Sequence, residues 1–158
     1  MSGVKNSGKT TVLEGLVAEL TARGLRVAVI KHDGHGFQPD RPGTDTFRHL
    51  AAGAAGAAVF DGEKFQAVKY AAVTERDLIA LFPEADLILL EGFKGSDWPK
   101  VEVVRAGNSA APVCDPRGLL ALVTDLPLAL PGVPVLGPED TAGLADLILN
   151  VTQGGDRT

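Results

Sequence analysis

MSGVKNSGKTT, residues 1–11, decides how the rest of the chain is read. Gly3, Gly8, Lys9 and Thr10 carry the spacing G-x-x-x-x-G-K-[ST], that of a glycine-rich phosphate-binding loop, or P-loop. Glycines let successive backbone N–H groups converge on phosphate oxygens, and the helix that follows adds the positive end of its dipole. Lys9 then reaches the β- and γ-phosphates, and the Thr10 hydroxyl ligates Mg²⁺. Lys5, Asn6, Ser7 and Thr11 complete the candidate loop. Ser7 and Thr11 read as local hydrogen-bonding partners, and Lys5 either touches phosphate or is solvated. Such a loop ordinarily hangs from the end of a buried strand, yet only Met1 and Ser2 precede it here. The expectation is a real site whose first strand is missing, the natural chain beginning several residues earlier. The competing reading is a glycine-rich turn that merely caps a helix.

The bulk numbers narrow the field. A chain of 158 residues, 45% apolar and 22% charged, suits one folded domain rather than a disordered segment. No apolar run is long enough to span a bilayer and no charged-then-apolar leader opens the chain, so the expected setting is cytoplasmic with no membrane partner. A net charge of −5 argues against a nucleic-acid partner. Cys114 is the only cysteine, which removes disulfide frameworks and C-x-x-C metal or redox pairs.

Downstream of the loop, Leu13, Leu16, Val17 and Leu20 fall on one helical face, and Gly24 follows as a natural stop. VAVIK (27–31) reads as a short apolar strand. A polar loop leads into a helix in TFRHLAAGA, capped by Thr44 or Asp45. AAVF and KFQAVKY form two strands around Asp61-Gly62, a pair suited to positive φ. Thr74 with Asp77 resembles a helix start. DLILL (86–90) is a continuous apolar run ending in Glu91 and Gly92, as a fully buried strand would be. VEVVR, LLALVTD and PVLG add strands, and TAGLADLILNV closes as a helix. Alternating strands and helices predict an α/β, P-loop NTPase-like fold. Its mostly parallel sheet is flanked by helices, with an inserted β-hairpin and the first strand missing. Residues 1–150 are expected to form a single nucleotide-binding domain and 151–158 a frayed tail.

Ligands of such sheets sit at the carboxyl ends of strands. Glu91 stands where the second Mg²⁺-side acid belongs. After the second strand, residues 31–54 pack His32, Asp33, His35, Asp40, Arg41, Asp45 and Arg48 around a Pro42-Gly43 turn; the plain alternative is a solvated loop. Residues 91–105, EGFKGSDWPKVEVVR, add Lys94, Lys100 and Arg105, with Trp98 as core, as a packing lid or, less readily, as a stacking surface.

These three stretches together resemble the molybdopterin-guanine dinucleotide biosynthesis protein B (MobB) family. Its pattern is a G-x-K-N-S-G-K-T-T loop, then K-H-x-x-H-x-F-x-x-D-x-P-G-x-D-[ST]-x-R followed by A-G-A, then E-G-[FY]-K ahead of P-K-x-E-x-x-R. Here these fall at Gly3–Thr11, Lys31–Ala54 and Glu91–Arg105, and Val123–Asp125 also fits. The resemblance implies a homodimeric GTP-binding adapter with slow GTPase activity. Its partners would be molybdopterin and the molybdenum cofactor guanylyltransferase, which attaches GMP to it. It lends Lys9 and Thr10 to phosphate and Mg²⁺, Glu91 to the metal, and the loop from His32 and Asp33 to Arg48 to the γ-phosphate or the pterin partner. No Asn-Lys-x-Asp guanine-reading motif is present, so guanine preference rests on the resemblance, with Asp125 a candidate for the base edge.

Two other classes fit parts of the pattern. A GTP-dependent metal chaperone could use His32, Asp33 and His35, although no cysteine lies nearby. A small-molecule kinase could use Asp33 as a base beneath an arginine-bearing lid. A scaffold role with a vestigial loop is a third reading. No catalytic residue for hydrolysis is assignable: Gln38, Gln66 and Gln153 lie in a loop, a strand and the tail, and slow intrinsic turnover is expected.

Overall fold

The computed structural model describes residues 1–34 and 36–154. Its elements run α1 (Lys9–Ala22), β1 (Val27–Lys31), α2 (Asp45–Ala51), β2 (Gly56–Phe60), β3 (Phe65–Lys69), α3 (Glu75–Ile79), β4 (Leu87–Glu91), β5 (Lys100–Val104), β6 (Leu119–Thr124), β7 (Val135–Leu136) and α4 (Thr141–Gly154). The chain divides into two compact units, one of residues 1–32 with 79–158 and one of residues 33–78.

In the larger unit every strand pair is parallel. β1 pairs with β4 from Val27–Leu87 to Lys31–Glu91. β5 pairs with β6, and β6 with β7. Among the described residues, the main-chain bonds that join the two sets run through Met1 and Ser2. The Met1 nitrogen donates to Leu90 O (2.6 Å), and Gly92 N donates to Met1 O (3.1 Å). On the other side Ser2 N donates to Val101 O (2.8 Å) and Val103 N to Ser2 O (3.0 Å), a parallel bridge to Glu102. Met1 and Ser2 thus hold the place of a central strand without forming one, and the expected single sheet is divided into two parts.

That division shows in the burial of β4. A run such as LILLE should be fully buried, yet Leu87 to Leu90 are only half-buried and Glu91 alone is buried. Burial of a sheet residue depends on its lateral neighbours as well as on the covering helices, and β4 has a strand on one side only.

α1 packs Val12, Leu16 and Leu20 against Val101, Val103, Ala121 and Val123 of the strands and Leu144, Ala145 and Ile148 of α4. Each large apolar side chain withdrawn from water contributes roughly 1.5–3 kcal/mol. Val12 is buried in preference to Val17, which is half-exposed. The two helices cross closely at Gly15, where an added Cβ would lie 2.7 Å from Thr141 Cγ2. Arg23 seals the crossing by pairing with Asp146 (2.5 Å). α1 ends where expected, with Gly24 in the left-handed region at φ 89°. α4 runs past Asn150 to Gly154, and 155–158 lie outside the described residues.

In the smaller unit β2 and β3 form the expected antiparallel hairpin. Its turn differs from the Asp-Gly expectation: Gly62 is not left-handed. Asp61 Oδ1 instead accepts from Glu63 N and Lys64 N, both at 2.9 Å, so a carboxylate closes the turn in place of backbone permissiveness. Thr44 caps α2 by accepting from Phe47 N. Thr74 and Asp77 form a reciprocal cap at α3, with Thr74 N donating to Asp77 Oδ2 (2.9 Å) and Asp77 N to Thr74 Oγ1 (3.2 Å).

Candidate nucleotide site

The loop between Ser2 and α1 is shaped by three unusual backbones. Gly3 has φ 131°, and a Cβ there would lie 2.5 Å from Val103 O, so the loop leaves the sheet with its main chain against β5. Asn6 is left-handed at φ 62°, and Gly8 at φ 83° serves as the N-cap of α1. Gly8 supplies no side-chain cap, which leaves the first-turn N–H groups of α1 for an external anion. Ser7 is buried beneath Gly3, and its Oγ has no hydrogen-bond partner among the described residues. Thr11 is exposed on α1, and Lys5 is exposed with its carbonyl accepting from Asn108 Nδ2 (2.9 Å).

Lys9 lies across this loop, its ammonium 2.6 Å from Val4 O. Burial pushes its pKa below the ordinary lysine value and Lys31 adds to that, while Glu91 opposes it. Thr10 Oγ1 donates to Glu91 Oε1 (3.0 Å), and Lys31 Nζ lies 3.3 Å from the same oxygen. A hydroxyl from the first turn of α1 and a carboxylate from the end of β4 therefore meet as two hard oxygen donors. Their meeting fits a phosphate-bound cation, and with Lys9 and the uncapped helix start it fits a nucleotide phosphate chain.

His32 continues the sheet beyond β1, donating from its amide to Glu91 O (2.9 Å), with its ring 5.5 Å from that of Phe93. Gly92, at φ 93°, is held tightly here, since a Cβ would lie 2.7 Å from His32 O. Asp33 is exposed and opens the second unit; His35 lies outside the described residues. Among the described residues no three His, Cys, Asp or Glu side chains group closely enough to hold a metal ion by themselves.

Asp125, the candidate for a base edge, is already engaged. Its Oδ1 accepts from Ala106 N (2.8 Å) and its Oδ2 from Arg105 Nε (3.2 Å). The Ala106 amide and Arg105 hold its carboxyl below the usual range. Arg105 in turn sits beside Gly8, so the guanidinium that links the ends of β5 and β6 lies next to the loop. Two residues assigned no role from the sequence matter here. Glu102 is fully buried and accepts from Val113 N (2.6 Å) and Cys114 N (3.0 Å), fixing the segment after β5. Asn108, in that segment, braces Lys5. A lone charge inside V-E-V-V was the available signal for Glu102; nothing local marks Asn108.

The fold and loop define an α/β protein of the P-loop NTPase-like class. The sequence profile described as "Molybdopterin guanine dinucleotide synthesis protein B" matches residues 1–125, and the chain belongs to that family. It is 36% identical over 157 residues to the molybdopterin-guanine dinucleotide biosynthesis adapter protein of Escherichia coli, covering 93% of this chain and 88% of the relative. A Haemophilus influenzae protein of the same name is 36% identical over 140 residues, covering 82% and 75%. Among solved structures, Bacillus subtilis MobB superimposes with a TM-score of 0.73 at 29% identity, covering 94% of this chain and 93% of that one. A MobB homologue from Bacillus stearothermophilus does so with 0.68 at 26%, covering 96% and 94%. No helix among the described residues is long and apolar enough to cross a membrane.

Proposed function

We propose that this protein is a GTP-binding adapter in assembly of the guanine dinucleotide form of the molybdenum cofactor. It acts as a homodimer beside the guanylyltransferase that attaches GMP to molybdopterin. The observation that carries the nucleotide reading is the contact of Thr10 with Glu91, joined by Lys31 on the same oxygen. Mg²⁺ held there by Thr10 and Glu91 would supply the positive charge that a phosphate chain needs. Gly3–Thr11 cradle those phosphates through main-chain amides, Lys9 adds a point charge, and Thr10 and Glu91 hold the metal side. The likeness to proteins named as adapters supports the pathway.

Hydrolysis is slow on this reading, because Gln38 and Gln66 lie in the smaller unit rather than in the phosphate loop. The polar stretch from His32 to Arg48 serves the pterin or the partner enzyme. Guanine is preferred over adenine, and with the Asp125 carboxylate engaged by Arg105 and Ala106, the base is read by main-chain groups nearby.

Calorimetry with GTP and ATP in Mg²⁺ tests this, on the protein and on Lys9→Ala. Expected is GTP binding stronger than ATP binding, lost in the variant, with retention on the immobilised guanylyltransferase. ATP preference with phosphate transfer to a small acceptor would replace the adapter by a kinase.

A further inference from the structure

Glu91 Oε1 has two partners. Thr10 Oγ1 donates to it at 3.0 Å, and Lys31 Nζ lies 3.3 Å from it. Lys31 and Glu91 are in register at the carboxyl ends of β1 and β4, so the sheet itself sets this pairing. The two side chains differ in burial, Glu91 being 7% exposed and Lys31 55%. A buried carboxylate needs compensation, and the ammonium supplies it. The two partners of this oxygen answer a metal ion differently. Thr10 donates its proton to Glu91 and keeps its lone pairs for a cation, so it can stay where it is when the ion binds. An ammonium has donors only and a charge of the same sign as the ion. A divalent cation on Glu91 therefore competes with Lys31 for the carboxylate and repels it. Burial lowers the Lys9 pKa most, Glu91 raises it and Lys31 lowers it again, so Lys31 also acts on the loop lysine. Two ammonium groups share one carboxylate, and the cluster carries net positive charge.

We propose, on the nucleotide reading of the loop, that Lys31 makes divalent-cation binding at Thr10 and Glu91 conditional on a nucleoside triphosphate. Its ammonium holds Glu91 until the triphosphate arrives and then pairs with the terminal phosphate. That phosphate is the matching acceptor, because a cation bridging the β- and γ-oxygens brings it to the metal side. Lys31 stands on a flexible stem more than half open to solvent, so it can leave Glu91 without disturbing the strand. With a diphosphate, the displaced ammonium finds no such partner and the complex gains less. With the ion alone, nothing offsets the added positive charge. Lys31 thus weakens the site for a bare cation or a diphosphate and strengthens it for a triphosphate. This discrimination is independent of the base.

The test uses Mn²⁺ as a paramagnetic substitute for Mg²⁺ and compares the parent, Lys31→Met, Lys31→Arg, and Lys31→Met combined with Glu91→Gln. Electron paramagnetic resonance reads Mn²⁺ bound without nucleotide, and calorimetry in Mg²⁺ reads the ratio of GTP to GDP affinity. Expected for Lys31→Met is nucleotide-free Mn²⁺ binding about tenfold tighter than in the parent, lost again in the double variant. Its GTP-to-GDP ratio should be about tenfold smaller than the parent's. Lys31→Arg keeps the charge and should follow the parent in both readings. Unchanged Mn²⁺ affinity in Lys31→Met would overturn the proposal. So would equal losses of GTP and GDP affinity, the mark of a merely structural lysine. If Lys31→Met is unstable, Lys31→Gln is read in the same way. A parent that binds nucleotide while Lys31→Met changes neither reading would overturn the role of Lys31 alone. A parent that binds neither GTP nor ATP would overturn the nucleotide reading with it.

Discussion

Thr10 Oγ1 and Glu91 Oε1 lie 3.0 Å apart across a sequence separation of 81, so the first turn of α1 and the end of β4 share one acidic oxygen. Glu91→Gln keeps the shape of that contact and removes its charge. A charge-assisted hydrogen bond is worth about 1.5–3 kcal/mol, so nucleotide affinity in Mg²⁺ should fall roughly 10- to 100-fold. In excess chelator the variant and the parent should bind alike. Calorimetry under both conditions reads the difference, and an equal loss in both would place Glu91 outside the metal's reach.

Gly3 and Gly24 share a positive φ but differ in surroundings. Gly3→Ala would drive a Cβ to 2.5 Å from Val103 O, whereas at Gly24 nothing lies within 4 Å. Urea unfolding should show a loss of about 1 kcal/mol for Gly24→Ala, from backbone conformation alone. For Gly3→Ala the loss should reach about 2–4 kcal/mol, because the main chain of β5 must move.

Glu102 is a buried carboxylate satisfied by two main-chain amides. Glu102→Ala strands both, and a loss of about 2–4 kcal/mol in urea unfolding is expected. The segment that braces Lys5 through Asn108 should loosen with it, read as faster exchange of the Val113 and Cys114 amides. A near-neutral Glu102→Ala would mean those amides find other acceptors.

The Met1 ammonium gives a pH dependence with a definite sign. Its pKa falls from 8.0 to about 6 on folding, through desolvation first, with Glu91 opposing. Between those values the unfolded chain holds a proton that the folded one does not, so stability rises with pH from about 6 to 8 and is flat beyond. The span is on the order of 2–3 kcal/mol. Acetylation of the Met1 nitrogen should flatten this part of the Tm–pH profile, and a slope that survives acetylation belongs to another group.

What could be read from the sequence was what local chemistry dictates. The spacing of Leu13, Leu16 and Leu20, the stop at Gly24 and the Thr74–Asp77 cap fold as their patterns require, and the apolar runs at β1, β4, β5 and β6 all form strands. Errors arose where neighbours distant in sequence decide. β4 is half-exposed because of what stands beside it, not because of its composition. The Asp61 turn is closed by a side chain whose acceptor role the Asp-Gly pair alone did not reveal. Asn108 meets Lys5 across a separation of 103, and no spacing rule reaches that far.

The anchoring of Met1 and Ser2 to Leu90, Gly92, Val101 and Val103 has a consequence for biosynthesis. The phosphate loop can take its final geometry only after β4 and β5, some ninety to a hundred residues further along, have been made. At about 5–20 residues per second, the phosphate loop waits roughly 5–20 s for its supports. During that interval the glycine-rich loop lacks its supports, and its fixed geometry arrives when β5 docks.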